Sequence, residues 1–299
     1  MHGAPTCECN TCYAGHDCSE LLLNCSANVD SGDPVYLEPY WQRHAASSAV
    51  LVSGWHRMSY RTTGGNFISV ELENHVRGLH RAVGNAVVDG RFIVFGTGSM
   101  QLINALVYAL SPDSAGDGSV SPARVVASVP FYPAYKTQTE IFDSRENEWE
   151  GITSKWLNSS NENFIEFVTS PNNPDGLLKS SVLRGSSVIY DHCYYWPHYT
   201  AIPAPADEDI MMFSISKSSG HASSRFGWVL LKDEKLYKKA LTYMRYSVMG
   251  VSRDTQLRML KIIKVILKEV RGKEDIFMFG YETMREKWKR LNKLVSSSN

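Results

Sequence analysis

The sequence predicts an α/β fold in which a mostly parallel β-sheet is sandwiched by helices, with a short Cys-rich module at the N-terminus. Three observations predict it. Short β-rich runs at 91–95, 124–128, 164–169, 187–190, 210–215 and 228–231 alternate with helical patterns, and each leads into a loop of small or polar residues. Several of these runs are continuously apolar, as strands covered on both faces are. Apolar residues recur at helical spacing between and around them, with Leu72, Val76, Leu79 and Val83 on one face and Leu257, Leu260, Ile263 and Leu267 on another.

The N-terminal element is set apart by its cysteines. Cys7, Cys9, Cys12, Cys18 and Cys25 crowd together, whereas Cys193 is the only one in the body. A run this dense reads as a small disulfide-stapled knot, which requires an oxidising compartment. Zinc binding by the same cysteines with His16 is the rival reading, although no second CxxC pair completes a four-ligand site. The opening residues lack the apolar region of a secretory signal. The expected location is therefore the secretory pathway or vacuole if a signal precedes Met1, and the cytoplasm as the sequence stands.

Composition narrows the function. With 31 basic and 31 acidic residues no global field draws the chain to nucleic acid or an anionic membrane, which favours a small-molecule function. Charges interrupt every long apolar stretch, as in Ile262-Ile263-Lys264-Val265-Ile266-Leu267-Lys268, so no spanning helix is expected.

In a parallel α/β sheet, ligands sit beyond the carboxyl ends of the strands, so the residues after each run are the candidates for chemistry. Gly96-Thr97-Gly98-Ser99-Met100-Gln101 follows the first run and opens a helix. Free N–H groups and a positive dipole end there suit a phosphate, and a tight packing turn is the alternative. Phe131-Tyr132-Pro133, Ser170-Pro171-Asn172-Asn173-Pro174-Asp175-Gly176, Tyr190-Asp191-His192-Cys193-Tyr194-Tyr195-Trp196 and Ser214-Ile215-Ser216-Lys217 follow the next four runs. Taken singly, Tyr132 could be core, Asn173-Pro174 a turn and Asp191 a helix cap.

This order of motifs resembles the fold-type I pyridoxal-phosphate (PLP) aminotransferases, and most closely the plant alliinase and tryptophan-aminotransferase-related family. Trp55-His56-Arg57-Met58-Ser59-Tyr60 and the stretch from Lys217-Ser218-Ser219-Gly220-His221 to Arg225-Phe226-Gly227-Trp228 are close to that family's wording. The Cys-rich start resembles its EGF-like module.

The resemblance implies a role for each matching residue. Lys217 forms the Schiff base with the cofactor and then moves the substrate Cα proton. Asp191 keeps the pyridine nitrogen protonated, Asn173 and Tyr194 hydrogen-bond the ring's phenolic oxygen, and Tyr132 stacks on the ring. Arg225, Ser214 and the backbone N–H groups of Ser99 and Met100 hold the phosphate. Met100 departs from the pattern, because relatives often carry Thr there. Tyr60 reaches the neighbouring subunit's phosphate, which implies a homodimer with shared sites; packing is its other reading. Ser31 and Gly32 lie over the substrate unless they form only a turn before Asp33-Pro34. Cys9 pairs with Cys18 and Cys12 with Cys25, leaving Cys7 without its upstream partner. No metal is implied.

The expected organisation is a partial EGF-like module at 1–26, a PLP-binding large domain at 27–254 and a connecting helix at 255–299 leading into an absent small domain. That domain would carry the arginine for the substrate α-carboxylate and cover the helix at 255–267, so an exposed apolar patch is expected on this helix. The expected activity is transamination of an aromatic amino acid such as tryptophan. Alliinase-type C–S lysis is the alternative, and an inert protein that keeps the fold is the third reading.

Overall fold

The structure, a computed structural model, describes residues 8–26, 36–56, 58–62, 65–113, 121–159 and 163–298. Cys7 and the expected substrate residues Ser31 and Gly32 lie outside them. In the N-terminal module the strands β1 (Tyr13–Ala14) and β2 (Glu20–Leu21) pair antiparallel. Disulfides join Cys9 to Cys18 and Cys12 to Cys25. Two short helices follow, α1 (Glu38–Arg43) and α2 (Ala45–Ser48).

The body begins with α3 (Val70–Val83), which starts where Ser69 Oγ accepts the Leu72 N–H and stops at Gly84, whose left-handed backbone closes the helix. Then come β3 (Phe92–Gly96), α4 (Gly98–Leu110), β4 (Ala123–Ala127), α5 (Ala134–Phe142), β5 (Asn147–Ile152), β6 (Phe164–Thr169), β7 (Ser187–Asp191), β8 (Ile210–Ser214), α6 (Ile215–Ser218) and β9 (Gly227–Leu231). The helices α7 (Glu234–Val248), α8 (Arg253–Glu269) and α9 (Ile276–Ser297) complete the described chain. Asp233, Ser252 and Asp275 cap their N-termini.

The large sheet has seven strands in the order β3-β9-β8-β7-β6-β4-β5. All neighbours are parallel except β9, which runs antiparallel to both β3 and β8. Successive side chains on a strand point to opposite faces, and two core layers follow from that. Ile93, Phe95, Met211, Phe213, Trp228 and Leu230 pack with α3 and α8 on one face. Val94, Met212, Val229 and Leu231 pack with α4 and α7 on the other. This is the sandwiched, mostly parallel sheet that the apolar runs imply.

Three details differ from the sequence reading. The strand β5 is an edge strand whose Asn147-Glu148-Trp149-Glu150 is too polar to stand out as a run. The buried stripe of α8 is rotated from the expected face: Gln256, Met259, Ile262, Ile263 and Ile266 are buried, and Leu257, Leu260 and Leu267 flank them. Gln256 takes an inward position because its amide is satisfied there, accepting from Ser69 N and donating to the Phe67 and Val251 carbonyls. The helix at 255–267 therefore packs within the core against α3 and does not carry the exposed apolar patch. Exposed apolar side chains instead lie on α9, including Met278, Trp288, Leu291 and Leu294. No helix among the described residues is long and apolar enough to cross a membrane.

Candidate active site

The register brings the ends of five strands to one edge. Gly96 pairs with Gly227, Gly227 with Ser214, and Thr169 with Asp191. The antiparallel β9 begins where β3 and β8 end, so Arg225, just before β9, joins the loops that follow the parallel strands. Tyr132 lies among these groups. Its hydroxyl pKa is raised by burial and by Asp191, against the opposing charges of Lys217 and Arg225.

At this edge the start of α4 and Arg225 form a cradle suited to an anion. Ser99 and Met100 lie in the first turn of α4, where N–H groups have no partner within the helix. Gly98 precedes them at φ +73°, and a Cβ there would collide with the Arg225 guanidinium. A Cβ on Gly227 would come within 2.9 Å of the Phe213 carbonyl and 3.1 Å of Ser99 N. The two glycines thus let the helix end, the arginine and the sheet approach one another. Arg225 itself takes a left-handed backbone, φ 49°, and its Nη1 donates to the Ala222 carbonyl at 3.0 Å. The buried Ser214 hydroxyl accepts from Ser216 N at 3.2 Å, which leaves its proton free to be donated. The Met100 sulfur accepts from the Tyr132 hydroxyl at 3.5 Å. The side chain fixes the aromatic ring even though it offers an anion no donor.

Asp191, buried at the tip of β7, accepts from two donors: Cys193 N at 3.0 Å on Oδ1 and the Tyr135 hydroxyl at 2.7 Å on Oδ2. It caps no helix. Burial, reinforced by Asp191, holds the Tyr135 pKa well above its ordinary value, so this hydroxyl stays a donor. Burial likewise pushes the Cys193 thiol up.

Lys217 acts on the Tyr132 hydroxyl together with Asp191 and Arg225. Its Nζ lies 5.1 Å from the centroid of the Tyr194 ring, and Asn173 Nδ2 donates to the Tyr194 hydroxyl at 3.4 Å. His198 Nε2 donates to the Lys217 carbonyl at 3.0 Å, and burial lowers the pKa of His198 to about 4, so it holds the lysine backbone as a neutral ring. The Tyr36 and Tyr199 hydroxyls are 2.7 Å apart, and the Tyr199 ring meets Tyr194 edge-on at 5.1 Å. Burial raises both hydroxyl pKa values, that of Tyr36 to about 12.

Lys217, Asp191, Asn173, Tyr194, Tyr132, Ser214, Arg225, Ser99 and Met100 are thus gathered at one edge of the sheet. Tyr60 is not: it is 70% exposed, and its carbonyl accepts from Arg253. Among the described residues no group of three or more His, Cys, Asp or Glu could hold a metal. Sequence reasoning missed Tyr135, Tyr36, Tyr199 and His198. A signal existed for Tyr135, which follows Tyr132 by one helical turn and so returns to the same side of the sheet edge.

Residues 27–299 match the family model for Allinase, and residues 1–25 match the model for the alliinase EGF-like domain. The chain is 50% identical to an alliin lyase of Allium cepa over 303 residues, covering 99% of this chain and 63% of that protein. It is 51% identical to tryptophan aminotransferase-related protein 4 of Arabidopsis thaliana over 300 residues, covering 98% and 64%. It therefore spans less than two thirds of the length of these two relatives. An aminotransferase structure from Neisseria meningitidis superposes with a TM-score of 0.60 at 20% identity, covering 89% of this chain and 69% of that one. A methionine aminotransferase from Escherichia coli gives 0.59 at 13%, covering 88% and 70%. At these identities the structures show the shared fold. The chain belongs to the alliinase family, whose cofactor is pyridoxal phosphate.

Proposed function

We propose that this chain carries out PLP-dependent chemistry at the Cα of an L-amino acid, with Lys217 as the base. The observation that carries the reading is the placement of Lys217 Nζ over Tyr194, with Lys217, Asp191 and Arg225 all close enough to act on the Tyr132 hydroxyl. The donor set fits the cofactor. A phosphate suits the guanidinium and the helix N-terminus, a ring N–H suits the doubly supported carboxylate, a phenolic oxygen suits Asn173 and Tyr194, and a carbonyl carbon suits the lysine amine. When bound, PLP supplies an electron sink that acidifies the substrate Cα–H.

Each side chain has a defined task in this reading. Asp191 holds the proton on the ring nitrogen and is itself held by Tyr135 and Cys193 N. Tyr132, anchored by Met100, covers the ring. Lys217 Nζ removes the Cα proton, and His198 fixes the lysine backbone while it does so. With PLP bound, transamination would need Lys217 Nζ to return this proton to a second carbon and water to release the oxo acid, and we favour it, with an aromatic amino acid such as tryptophan as substrate. C–S lysis is the second reading, favoured by the match of the N-terminal module to the alliinase EGF-like domain and by the alliin lyase relative.

A homodimer belongs to the same proposal, supported by the exposure of Trp55, Met58 and Tyr60 on one segment. The two disulfides favour an oxidising compartment. The test of the activity is product identification after incubation with tryptophan plus pyruvate or with an S-alkyl cysteine sulfoxide. Indole-3-pyruvate supports transamination, and pyruvate released with a sulfur product supports lysis. Neither product from PLP-loaded protein would refute both.

A further inference from the structure

The loop at 218–224 has Lys217 at one end and Arg225 at the other, so its shape sets the separation between the base and the anion fork. One contact holds it from outside. Trp41, on α1, donates its Nε1–H to the carbonyl of the buried Ser219 at 2.9 Å across a sequence separation of 178. The same indole meets the His221 ring edge-on, with centroids 4.7 Å apart, and His221 Nδ1 lies 2.9 Å from Ser219 Oγ. The grip is anchored on its own side: the neighbouring Tyr40 is fully buried and packs on Trp41, His44 and Phe279.

We propose that Trp41 is a positioning residue for the cofactor. Resting on the reading above, in which PLP is engaged by Lys217 and Arg225 together, the inference is that Trp41 freezes the loop in the shape that lets both engage at once. A ligand held at two points of one short loop pays for any freedom that loop must lose on binding. Removing the indole N–H frees the Ser219 carbonyl, and the ordering cost then falls on the cofactor.

The test is titration of the apo-protein with PLP, followed by absorbance, for the wild-type chain, Trp41→Phe and Trp41→His. Phenylalanine keeps an aromatic ring and removes the donor. Histidine can present an N–H at the same ring position as the indole Nε1, so it restores the donor on a smaller ring. The expected result is a PLP Kd raised about fivefold in Trp41→Phe, the equivalent of one ordinary hydrogen bond, and largely restored in Trp41→His. An unchanged Kd in Trp41→Phe, with or without a lower apo-protein Tm, would overturn the proposal and leave Trp41 a packing residue. A raised Kd that histidine does not restore would overturn the assignment to the N–H. If Trp41→Phe does not fold, Trp41→Gln and Trp41→Met are compared, since glutamine can donate an N–H and methionine cannot, and equal PLP Kd values in the two overturn the proposal. Borohydride labelling of the wild-type chain separates the two levels. A label away from Lys217 sinks the cofactor reading, whereas a label on Lys217 with unchanged Kd values sinks only the role of Trp41.

Discussion

The Tyr135 hydroxyl lies 2.7 Å from Asp191 Oδ2 and the same distance from Thr169 Oγ1. With a single proton, Tyr135 donates to the carboxylate and accepts from the threonine. Its ring stacks on Phe167 at 4.2 Å and 5° between planes, so it cannot swing away from this task. The carboxylate that the proposed reading assigns to the cofactor's ring nitrogen is thus aimed by a fully buried residue.

Tyr135→Phe keeps the stacked ring and removes the donor. A hydrogen bond to a charged group contributes roughly 1.5–3 kcal/mol, so exchange of the substrate Cα proton with deuterated solvent should slow about 10- to 100-fold. The PLP Kd should change far less, because the phosphate contacts survive. Exchange at the wild-type rate would show that Asp191 needs no such support.

Gly98→Ala should damage the anion cradle specifically. The added methyl both strains a left-handed backbone at φ +73° and collides with the Arg225 guanidinium. Gly84 provides the control, being left-handed at φ +79° with nothing within 4 Å of the added atom. Both alanine variants should lose about 1 kcal/mol of stability from the backbone. Only Gly98→Ala should raise the PLP Kd, by about tenfold or more. Equal Kd values in the two variants would remove the cradle from the account.

Acid should destabilise this fold in a defined window. His80 and His198 are buried and His221 is half-buried, and desolvation lowers each pKa from 6.5 to about 4. His80 shows why: its Nε2 accepts from Trp228 Nε1 and its Nδ1 donates to Asn85 Oδ1, an arrangement that needs the neutral ring. Between about 4 and 6.5 the unfolded chain binds these protons and the folded chain does not. Stability is therefore full above 6.5 and lost as pH falls toward 4, with a slope of up to ~1.4 kcal/mol per pH unit for each histidine. Chemical denaturation at a series of pH values checks this. His80→Gln should flatten the slope, and an unaltered slope would contradict the assignment.

Much of this was legible in the sequence because strand ends announce themselves. Continuous apolar runs ending in Ser214, Asp191 or Gly96 place the following residue at the sheet edge, and six of the seven strands of the large sheet were recognisable in this way. The edge strand β5 was hidden because one side of it needs no apolar cover. The face of α8 was misjudged because Gln256 is buried, and its satisfaction depends on Ser69 N and the Phe67 carbonyl, 187 and 189 residues away in sequence. The supporting residues Tyr36, Tyr199, His198 and Trp41 were invisible for the same reason. Their partners are 19 to 178 residues away, and no local pattern encodes such pairs.

The most direct test of the central claim is borohydride reduction of the PLP-loaded chain followed by peptide mapping. The account predicts that the cofactor becomes covalently fixed on the peptide containing Lys217, and that Lys217→Ala abolishes the labelling while some PLP is still held through Arg225 and Asp191. Labelling of any other lysine, or undiminished labelling of Lys217→Ala, would contradict it.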